Sequence, residues 1–159
     1  MTVPLASVII PTYNKLPRLK LTLNSFNYQS ISSFELILID DGSSDGTKQF
    51  AENFYSKSNF KYIYHENMGR AKARNIGANI AKSQILIFCD DDTIASNNFI
   101  ENHIKEHSFH DNLLVHGITF SLPFLKFFHD PTRGILYSAF QKGNNNLEIL
   151  KKYLISEKD

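Results

Sequence analysis

A short apolar run that ends in three consecutive carboxylates constrains this chain more than any other stretch. Residues 85–89 are apolar, and Asp90, Asp91 and Asp92 follow them directly. An apolar run of this length, bounded by charge, indicates a strand buried on both faces of a covered parallel sheet. Three adjacent carboxylates repel one another unless a cation lies among them, and Mg²⁺ or Mn²⁺ prefers oxygen ligands. The stretch therefore predicts a metal–phosphate site at a strand end; a solvated acidic turn that caps the next helix is the alternative.

The order of apolar runs along the chain predicts an α/β fold. Four strands alternate with helices, which implies right-handed crossovers and a mainly parallel sheet with helices on both faces. We expect Pro11 to end the first strand and Asp45 to cap the second helix. The predicted strands cover residues 6–10, 34–39, 61–66 and 85–89, with a fifth over 113–120, and the predicted helices begin near residues 16, 47, 70 and 98.

A second predicted strand also ends in acids. Asp40 and Asp41 follow that strand, and Thr12 and Tyr13 follow the first one. In a parallel sheet these strand ends lie along one rim with residues 90–92, and open α/β sheets bind their ligands there. Independent helix-capping acids would explain one such cluster more easily than two, so we favour a shared ligand site.

Basic side chains near the start of the third predicted helix are suited to phosphate. Arg70 and Arg74 are four residues apart, hence on one helical face, and Lys72 lies between them in sequence. Backbone amides at a helix N-terminus, together with a guanidinium, form a phosphate site. We favour this role for Arg74, whereas a solvated basic face accounts for Arg70 and Lys72.

Charge and cysteine content limit the other classes of function. The net charge is +1, which gives no general field for polyanions, so no nucleic-acid partner is expected. The single cysteine, Cys89, excludes a disulfide scaffold and favours a reducing compartment. Residues 1–5 do not start a signal peptide, and no window reaches the roughly 20 apolar residues of a membrane span. We expect a cytoplasmic protein, and peripheral association with the inner membrane surface stays open.

Several other catalytic motifs are absent from the sequence. There is no Gly-Lys-Ser/Thr phosphate loop, and no three spaced glycines follow the first strand. His103, His107 and His110 lack the glutamate that a zinc protease helix carries after its first histidine, so a polar helix face is expected. An aspartate-based phosphohydrolase or receiver domain would need an aspartate where Pro11 and Thr12 stand, and is a third, less favoured interpretation.

Four segments in register resemble the family 2 glycosyltransferases of the GT-A (Rossmann-like) fold. The segments are residues 7–14 (SVIIPTYN), 35–47 (ELILIDDGSSDGT), 67–77 (NMGRAKARNIG) and 88–92 (FCDDD). The resemblance implies an enzyme of the hexosyltransferase type that acts in polysaccharide biosynthesis. Such an enzyme moves a sugar from a nucleotide diphosphate sugar, most often a UDP-sugar, to an acceptor hydroxyl, with inversion. The resemblance also implies a divalent metal cofactor, Mn²⁺ or Mg²⁺.

The resemblance assigns roles to individual residues. The implied donor-binding residues are Pro11, Thr12, Tyr13, Asp41, Arg74, Asp90 and Asp91, and the implied metal ligands are Asp92 and Asp90. Within this set Asp41 would meet the uracil, and Arg74 would lie between the base and the diphosphate. Asp92 would be the main metal ligand, with Asp90 towards the ribose.

The last quarter of the chain departs from the family pattern. We divide the chain into a nucleotide-sugar-binding domain, residues 1–120, and a short extension, residues 121–159, which forms an incomplete acceptor region. Family members usually carry a general base in a later Glu-Asp pair, and no such pair follows Asp92. The base is therefore not identified, with Asp130 as a weak candidate. A truncated or non-catalytic donor-binding module that needs a partner chain or a second copy is the alternative, and the acceptor (glycan, lipid-linked or protein) is undefined.

Overall fold

Helices and strands alternate along most of the chain, as the apolar pattern predicts. The computed structural model describes residues 3–109, 112–119, 129–130 and 135–136, the last two ranges as backbone only. The elements in chain order are β1 (Ala6–Thr12), α1 (Leu16–Phe26), β2 (Phe34–Asp40), α2 (Thr47–Glu52), β3 (Asn59–Tyr64), α3 (Arg70–Ile80), β4 (Leu86–Phe88), α4 (Phe99–His107), β5 (His129–Asp130) and β6 (Ile135–Leu136).

The first four strands form one parallel sheet in the order β3-β2-β1-β4. Thr12 at the end of β1 lies beside Asp40 at the end of β2, and Ile9 lies beside Phe88 at the end of β4. The carboxyl ends of β1, β2 and β4 are therefore neighbours on one rim. This confirms the predicted α/β class and the mainly parallel sheet. β4 is not buried on both faces, contrary to the prediction: it is an edge strand, Ile87 is buried, and Leu86 and Phe88 are exposed. β5 and β6 form a separate antiparallel pair.

Helices cover both faces of the sheet, because alternate residues of each strand point to opposite sides. Val8 and Ile10 pack into a core with residues of α1, α2 and α4. Ile9 points the other way and packs with Ala73 and Ile76 of α3. The helix α3 thus stands alone on its face within the described part of the chain, and its amino end lies at the rim.

A glycine lets α3 approach β1 closely. Gly77 is buried against Ile9, and a Cβ on Gly77 would press on Cγ2 of Ile9 and lie 3.3 Å from its Cγ1. Ile9 is fully buried and has no room to withdraw. This contact fixes the depth of α3 on the sheet, and hence the position of Arg74 one turn earlier.

Pro11 does not end β1, contrary to the prediction, and the strand continues to Thr12. The Cys89 N–H donates to the carbonyl of Ile9, whereas the carbonyl of Thr12 accepts from the Asp41 N–H. The backbone N–H and C=O groups of the odd-numbered residues of β1 therefore point towards β4. Pro11 therefore faces the β4 side beyond Phe88, where β4 has already ended. Its missing N–H removes no ladder bond there, which is the setting in which strands tolerate proline.

The fifth strand, predicted over residues 113–120, is wrong over residues 113–119, which contain neither helix nor strand. Leu114 is 95% and Ile118 84% exposed. An apolar segment alone does not make a strand, and no strand in the described ranges pairs with this one. Phe120 lies outside the described residues, as does most of the predicted extension 121–159. In the described ranges, none of the helices combines the length and the apolar content that crossing a membrane requires.

Candidate functional site

The ends of β1 and β4 are joined by a buried hydrogen bond. Thr12 Oγ1 donates to Asp91 Oδ2 at 2.9 Å, and both residues are less than a tenth exposed. The middle acid of the triplet therefore points into the protein. Asp91 fixes the loop after β4 against the tip of β1, and its two neighbours project towards solvent.

The start of α1 brings two cations to the acids. Lys15 Nζ lies 3.2 Å from Asp91 Oδ1 and 3.2 Å from Asp92 Oδ2, and Arg18 Nη1 lies 3.4 Å from Asp92 Oδ2. Partial burial acts to lower the pKa of Lys15, but hydrogen bonds to Asp92 and Asp91 and their charges outweigh it, so the pKa lies above its ordinary value. Lys15 thus stays charged between the two carboxylates.

The first acid of the triplet is held from the other face of the sheet. Arg74 Nη2, on α3, donates to Asp90 Oδ1 at 2.6 Å. Asp92 is held by residues of α1, which lies on the opposite face. Asp90 and Asp92 are therefore drawn to different sides, and the repulsion among the three acids is offset by protein cations in this state.

Asp41 ties the loop before α3 to the end of β2. Its Oδ1 accepts from the Met68 N–H at 2.7 Å and its Oδ2 from the Gly69 N–H at 2.9 Å. His65 Nδ1 lies 3.4 Å from the same carboxylate. Asp41 is buried, and Gly42 next to it has a φ of +89°, with Asn67 N only 3.0 Å from where a Cβ would lie. The two loops are pressed together at this part of the rim.

The Asp40 carboxylate accepts hydrogen bonds that stabilise the fold. Its Oδ1 accepts from the Ser43 N–H at 2.8 Å and its Oδ2 accepts from the Tyr62 hydroxyl at 2.8 Å. Burial and the Asp40 carboxylate raise the pKa of Tyr62 far above its ordinary value, so the phenol keeps its proton and its bond. Asp40 is fully buried and braces β2 against β3.

Asp45 is not the N-cap of α2, contrary to the prediction. Gly46 occupies that position with a left-handed φ of +93°, which glycine adopts without strain. Asp45 instead accepts from the backbone N–H of Thr47 at 3.2 Å and from the backbone N–H of Leu16 at 2.8 Å. One carboxylate thus serves the amino ends of both α2 and α1, and it joins the loops that follow β1 and β2.

The other predicted base-binding residues line the same rim. Pro11 is buried and Tyr13 is 47% exposed. Asn14 follows with a φ of +52°, and its Oδ1 accepts from the Ser44 N–H at 2.8 Å. The loop after β1 is therefore fixed to the loop after β2, with the Tyr13 ring available at the surface.

Two further predictions concern the histidines and the cysteine. His107 Nδ1 lies 2.8 Å from the carbonyl of His103, and both lie on α4 away from the rim acids, while His110 lies outside the described residues. Cys89 is buried, and burial together with the charge of Asp90 raises the pKa of its thiol to about 12. The thiol is therefore protonated and inert, as expected.

The carboxylates of Asp90 and Asp92 supply the type of oxygen ligand that a magnesium-type ion prefers. Over the described residues, no three His, Cys, Asp or Glu side chains converge as a closed metal cage. Mg²⁺ and Mn²⁺ need only one or two carboxylates when water and substrate phosphate fill the other positions. The hydrogen bonds of Asp90 and Asp92 engage one oxygen of each carboxylate. The donor chemistry of Asp92 with Asp90 therefore suits such an ion.

Asp130, the candidate base, lies in β5, where its backbone pairs with Ile135. Its side chain lies outside what the structure describes, so its role stays a prediction.

Sequence reasoning missed Lys15 and Arg18. A spacing of three residues at the start of a helix that follows a rim strand places both on one face beside the rim, and this signal was available in the sequence.

Comparisons with known proteins show which family this chain resembles. The family model described as Glycosyl transferase family 2 matches residues 7–154. The uncharacterized glycosyltransferase YfnE of Bacillus subtilis is 42% identical over 117 residues, which cover 71% of this chain and 29% of YfnE.

Two solved structures share the fold. The crystal structure of S. aureus TarS 1-349 in complex with UDP-GlcNAc has 30% identity and a TM-score of 0.61, and covers 66% of this chain and 31% of that one. The mannosyltransferase PcManGT from Pyrobaculum calidifontis, in complex with GDP-Man and Mn²⁺, has 24% identity and a TM-score of 0.60, which shows the fold alone. This chain spans about a third or less of each of these proteins. The family model, the four-strand parallel sheet and the acid-tipped rim together show that the chain belongs to glycosyl transferase family 2.

Proposed function

We propose that this chain binds a UDP-sugar at the carboxyl rim of its sheet, and that the sugar is transferred to an acceptor hydroxyl with inversion. One observation carries the proposal: one rim of the sheet carries Thr12, Asp41, Arg74 and the acids 90–92, in a chain 30% identical to a protein solved with UDP-GlcNAc. Polysaccharide biosynthesis in the cytoplasm is the proposed setting.

The base would lie between the loops after β1 and β2. Asp41 is held by two backbone amides, so its carboxylate is fixed before any ligand arrives. Each oxygen of a carboxylate has a second acceptor direction, which suits the imide N–H of uracil. Pro11 and Thr12 would form the wall of this site, and the exposed ring of Tyr13 offers a flat apolar surface to the base.

The diphosphate would lie between Arg74 and the acids. A guanidinium carries five N–H donors, and the bond to Asp90 engages one nitrogen, Nη2. The other donors suit phosphate oxygens, for which arginine is well matched. The exchange of one anionic partner for another keeps the charge of Arg74 compensated throughout binding.

A divalent cation would be held by Asp92, with Asp90, and by oxygens of water and diphosphate. When bound, Mn²⁺ or Mg²⁺ neutralises the charge that develops on the departing nucleoside diphosphate. Inverting transfer also requires a base beside the acceptor hydroxyl, on the face of the sugar opposite the leaving group. This base is not identified, and Asp130 is a weak candidate for it.

Calorimetric titration with UDP, in the presence and absence of MnCl₂, tests donor binding. We expect UDP to bind the full chain when Mn²⁺ is present and much more weakly when it is absent. Asp92→Ala should lose the gain in UDP affinity that Mn²⁺ gives. Glu66→Gln, which removes an exposed charge near the rim, should retain this gain. Absence of any UDP binding with Mn²⁺ would overturn the proposal, and equal binding with and without Mn²⁺ would overturn the metal requirement.

A second candidate is a donor-binding module that works with a partner chain. The observation in its favour is that no general base is identified among the side chains that the structure describes. Release of UDP from UDP-sugars by the purified chain separates the two proposals. Turnover by the chain alone would exclude the module, and tight binding without turnover would support it.

A further inference from the structure

The ammonium group of Lys15 lies between two adjacent carboxylates of the rim. It is the N-cap residue of α1, and its Nζ is equally distant, at 3.2 Å, from Asp91 Oδ1 and Asp92 Oδ2. An ammonium at this point is surrounded by the oxygens that would attract a divalent cation. A metal ion that takes up Asp92 while Lys15 stays in place would face an adjacent positive charge.

The rim acids are already balanced by protein cations. Lys15 and Arg18 contact Asp92, Lys15 also contacts Asp91, and Arg74 contacts Asp90. Within the described residues this gives three carboxylates and three basic side chains. The cluster therefore carries no net charge that would draw in a metal ion by itself.

The contacts differ in how easily they can be exchanged. Asp91 is anchored by Thr12 and its side chain is 8% exposed, so it cannot turn outward. The side chains of Asp92 and Lys15 are 36% and 43% exposed. Ion pairs with this much exposure contribute little, because water solvates both partners when they separate. Lys15 can therefore leave Asp92 at small cost while Asp91 keeps its place.

We propose that Lys15 is a built-in competitor of the divalent metal, because its ammonium holds Asp92 until the ion displaces it. This inference rests on the proposed function, because it concerns the metal that the donor site would use. It makes the nucleotide-free protein a weak metal binder. A donor diphosphate favours the metal ion over Lys15 at Asp92, because its oxygens are ligands for the ion. It also gives the released ammonium a new anionic partner.

The test compares Lys15→Met with wild type by Mn²⁺ binding in the absence of nucleotide, followed by the EPR signal of free Mn²⁺. Removal of the ammonium should tighten Mn²⁺ binding by about three- to tenfold, the range that one or two exposed ion pairs allow. Lys15→Arg keeps the charge and should stay within about twofold of wild type. Lys20→Met is the matched control, because Lys20 lies on the same helix with its Nζ 5.5 Å from the Phe50 ring centre and not at the acids.

Equal or weaker Mn²⁺ binding by Lys15→Met would overturn the inference, as would an equal gain in Lys20→Met, which would indicate a general charge effect. A larger rise in melting temperature on Mn²⁺ addition for Lys15→Met than for wild type is the second supporting result. If Lys15→Met does not fold, Lys15→Gln takes its place. If the wild-type protein does not bind UDP, the proposed function is overturned. The inference on Lys15 is still tested, because the Mn²⁺ comparison uses no nucleotide.

Discussion

Arg74 holds Asp90 by a hydrogen bond of 2.6 Å from Nη2 to Oδ1. The two residues are 16 positions apart and belong to different elements, α3 and the loop after β4. This bond brings the guanidinium to the acid cluster before any donor is bound. Four experiments follow from it and from the contacts around it.

Arg74→Ala should weaken UDP binding in the presence of Mn²⁺ by about tenfold or more, since a charged hydrogen bond to phosphate contributes roughly 1.5–3 kcal/mol. Calorimetry measures the change. Lys72→Ala is the control, because Lys72 is exposed and lies two residues away, on another side of α3. Equal losses in both variants would show that only the general charge of α3 matters.

Asp92→Ala should abolish Mn²⁺-dependent UDP binding and leave the fold nearly intact, because exposed ion pairs contribute about 0–1 kcal/mol. Asp91→Ala should instead lower the free energy of unfolding by about 1–3 kcal/mol, since it leaves the buried Thr12 hydroxyl without its acceptor. Urea unfolding compares the two variants. A larger stability loss in Asp92→Ala than in Asp91→Ala would contradict this division of roles.

Gly77→Ala should destabilise the protein by about 1–3 kcal/mol, because the added methyl group overpacks the contact with Ile9. This outcome opposes helix propensity, which favours alanine over glycine. Asn79→Ala, at an exposed position of the same helix, should be neutral or slightly stabilising. Thermal unfolding of the three proteins checks the prediction, and a stabilised Gly77→Ala would show that α3 does not lie as close to β1 as described.

Asp45→Asn should destabilise the protein at pH 7 and lose its effect in acid. Burial acts to raise the pKa of Asp45, but bonds from Thr47 and the Leu16 amide outweigh it and lower the pKa below its ordinary value. A lowered pKa in the folded state means that the charged form stabilises above the unfolded pKa of about 3.9. That contribution disappears as the pH falls through the folded pKa.

Unfolding curves of wild type and Asp45→Asn at several pH values measure this dependence. The stability difference should be constant above about pH 5 and shrink below about pH 4. Glu66→Gln is the control, since the Glu66 side chain is exposed and makes no hydrogen bond among the described residues. A difference that persists unchanged at pH 2 would contradict the assigned role of the Asp45 charge.

Periodicity predicted the sheet because strands buried on both faces leave apolar runs, as residues 36–39 do. It failed at residues 113–119, where a similar pattern has no neighbouring strand in the described part of the chain. It also placed the end of β1 too early, because the tolerance of Pro11 depends on where β4 ends. Such facts concern pairing between distant segments, which local patterns do not contain.

The acids of the site were predictable as a group, but their partners were not. The sequence indicates that residues 40–41 and 90–92 share a rim, because parallel strands bring their carboxyl ends together. It does not indicate that Asp91 turns inward to Thr12 or that Lys15 lies between two carboxylates. Side-chain direction after a strand end depends on the turn, and adjacent acids thus acquire different roles.

The double engagement of Asp41 limits how base recognition can be probed in this protein. Because its two oxygens hold the amides of Met68 and Gly69, any substitution at position 41 releases the loop that starts α3. Loss of nucleotide affinity in such a variant would mix a missing contact with a displaced helix. Exchanging the nucleobase of the ligand, with the protein unchanged, is the cleaner test of the proposed contact between this carboxylate and the base.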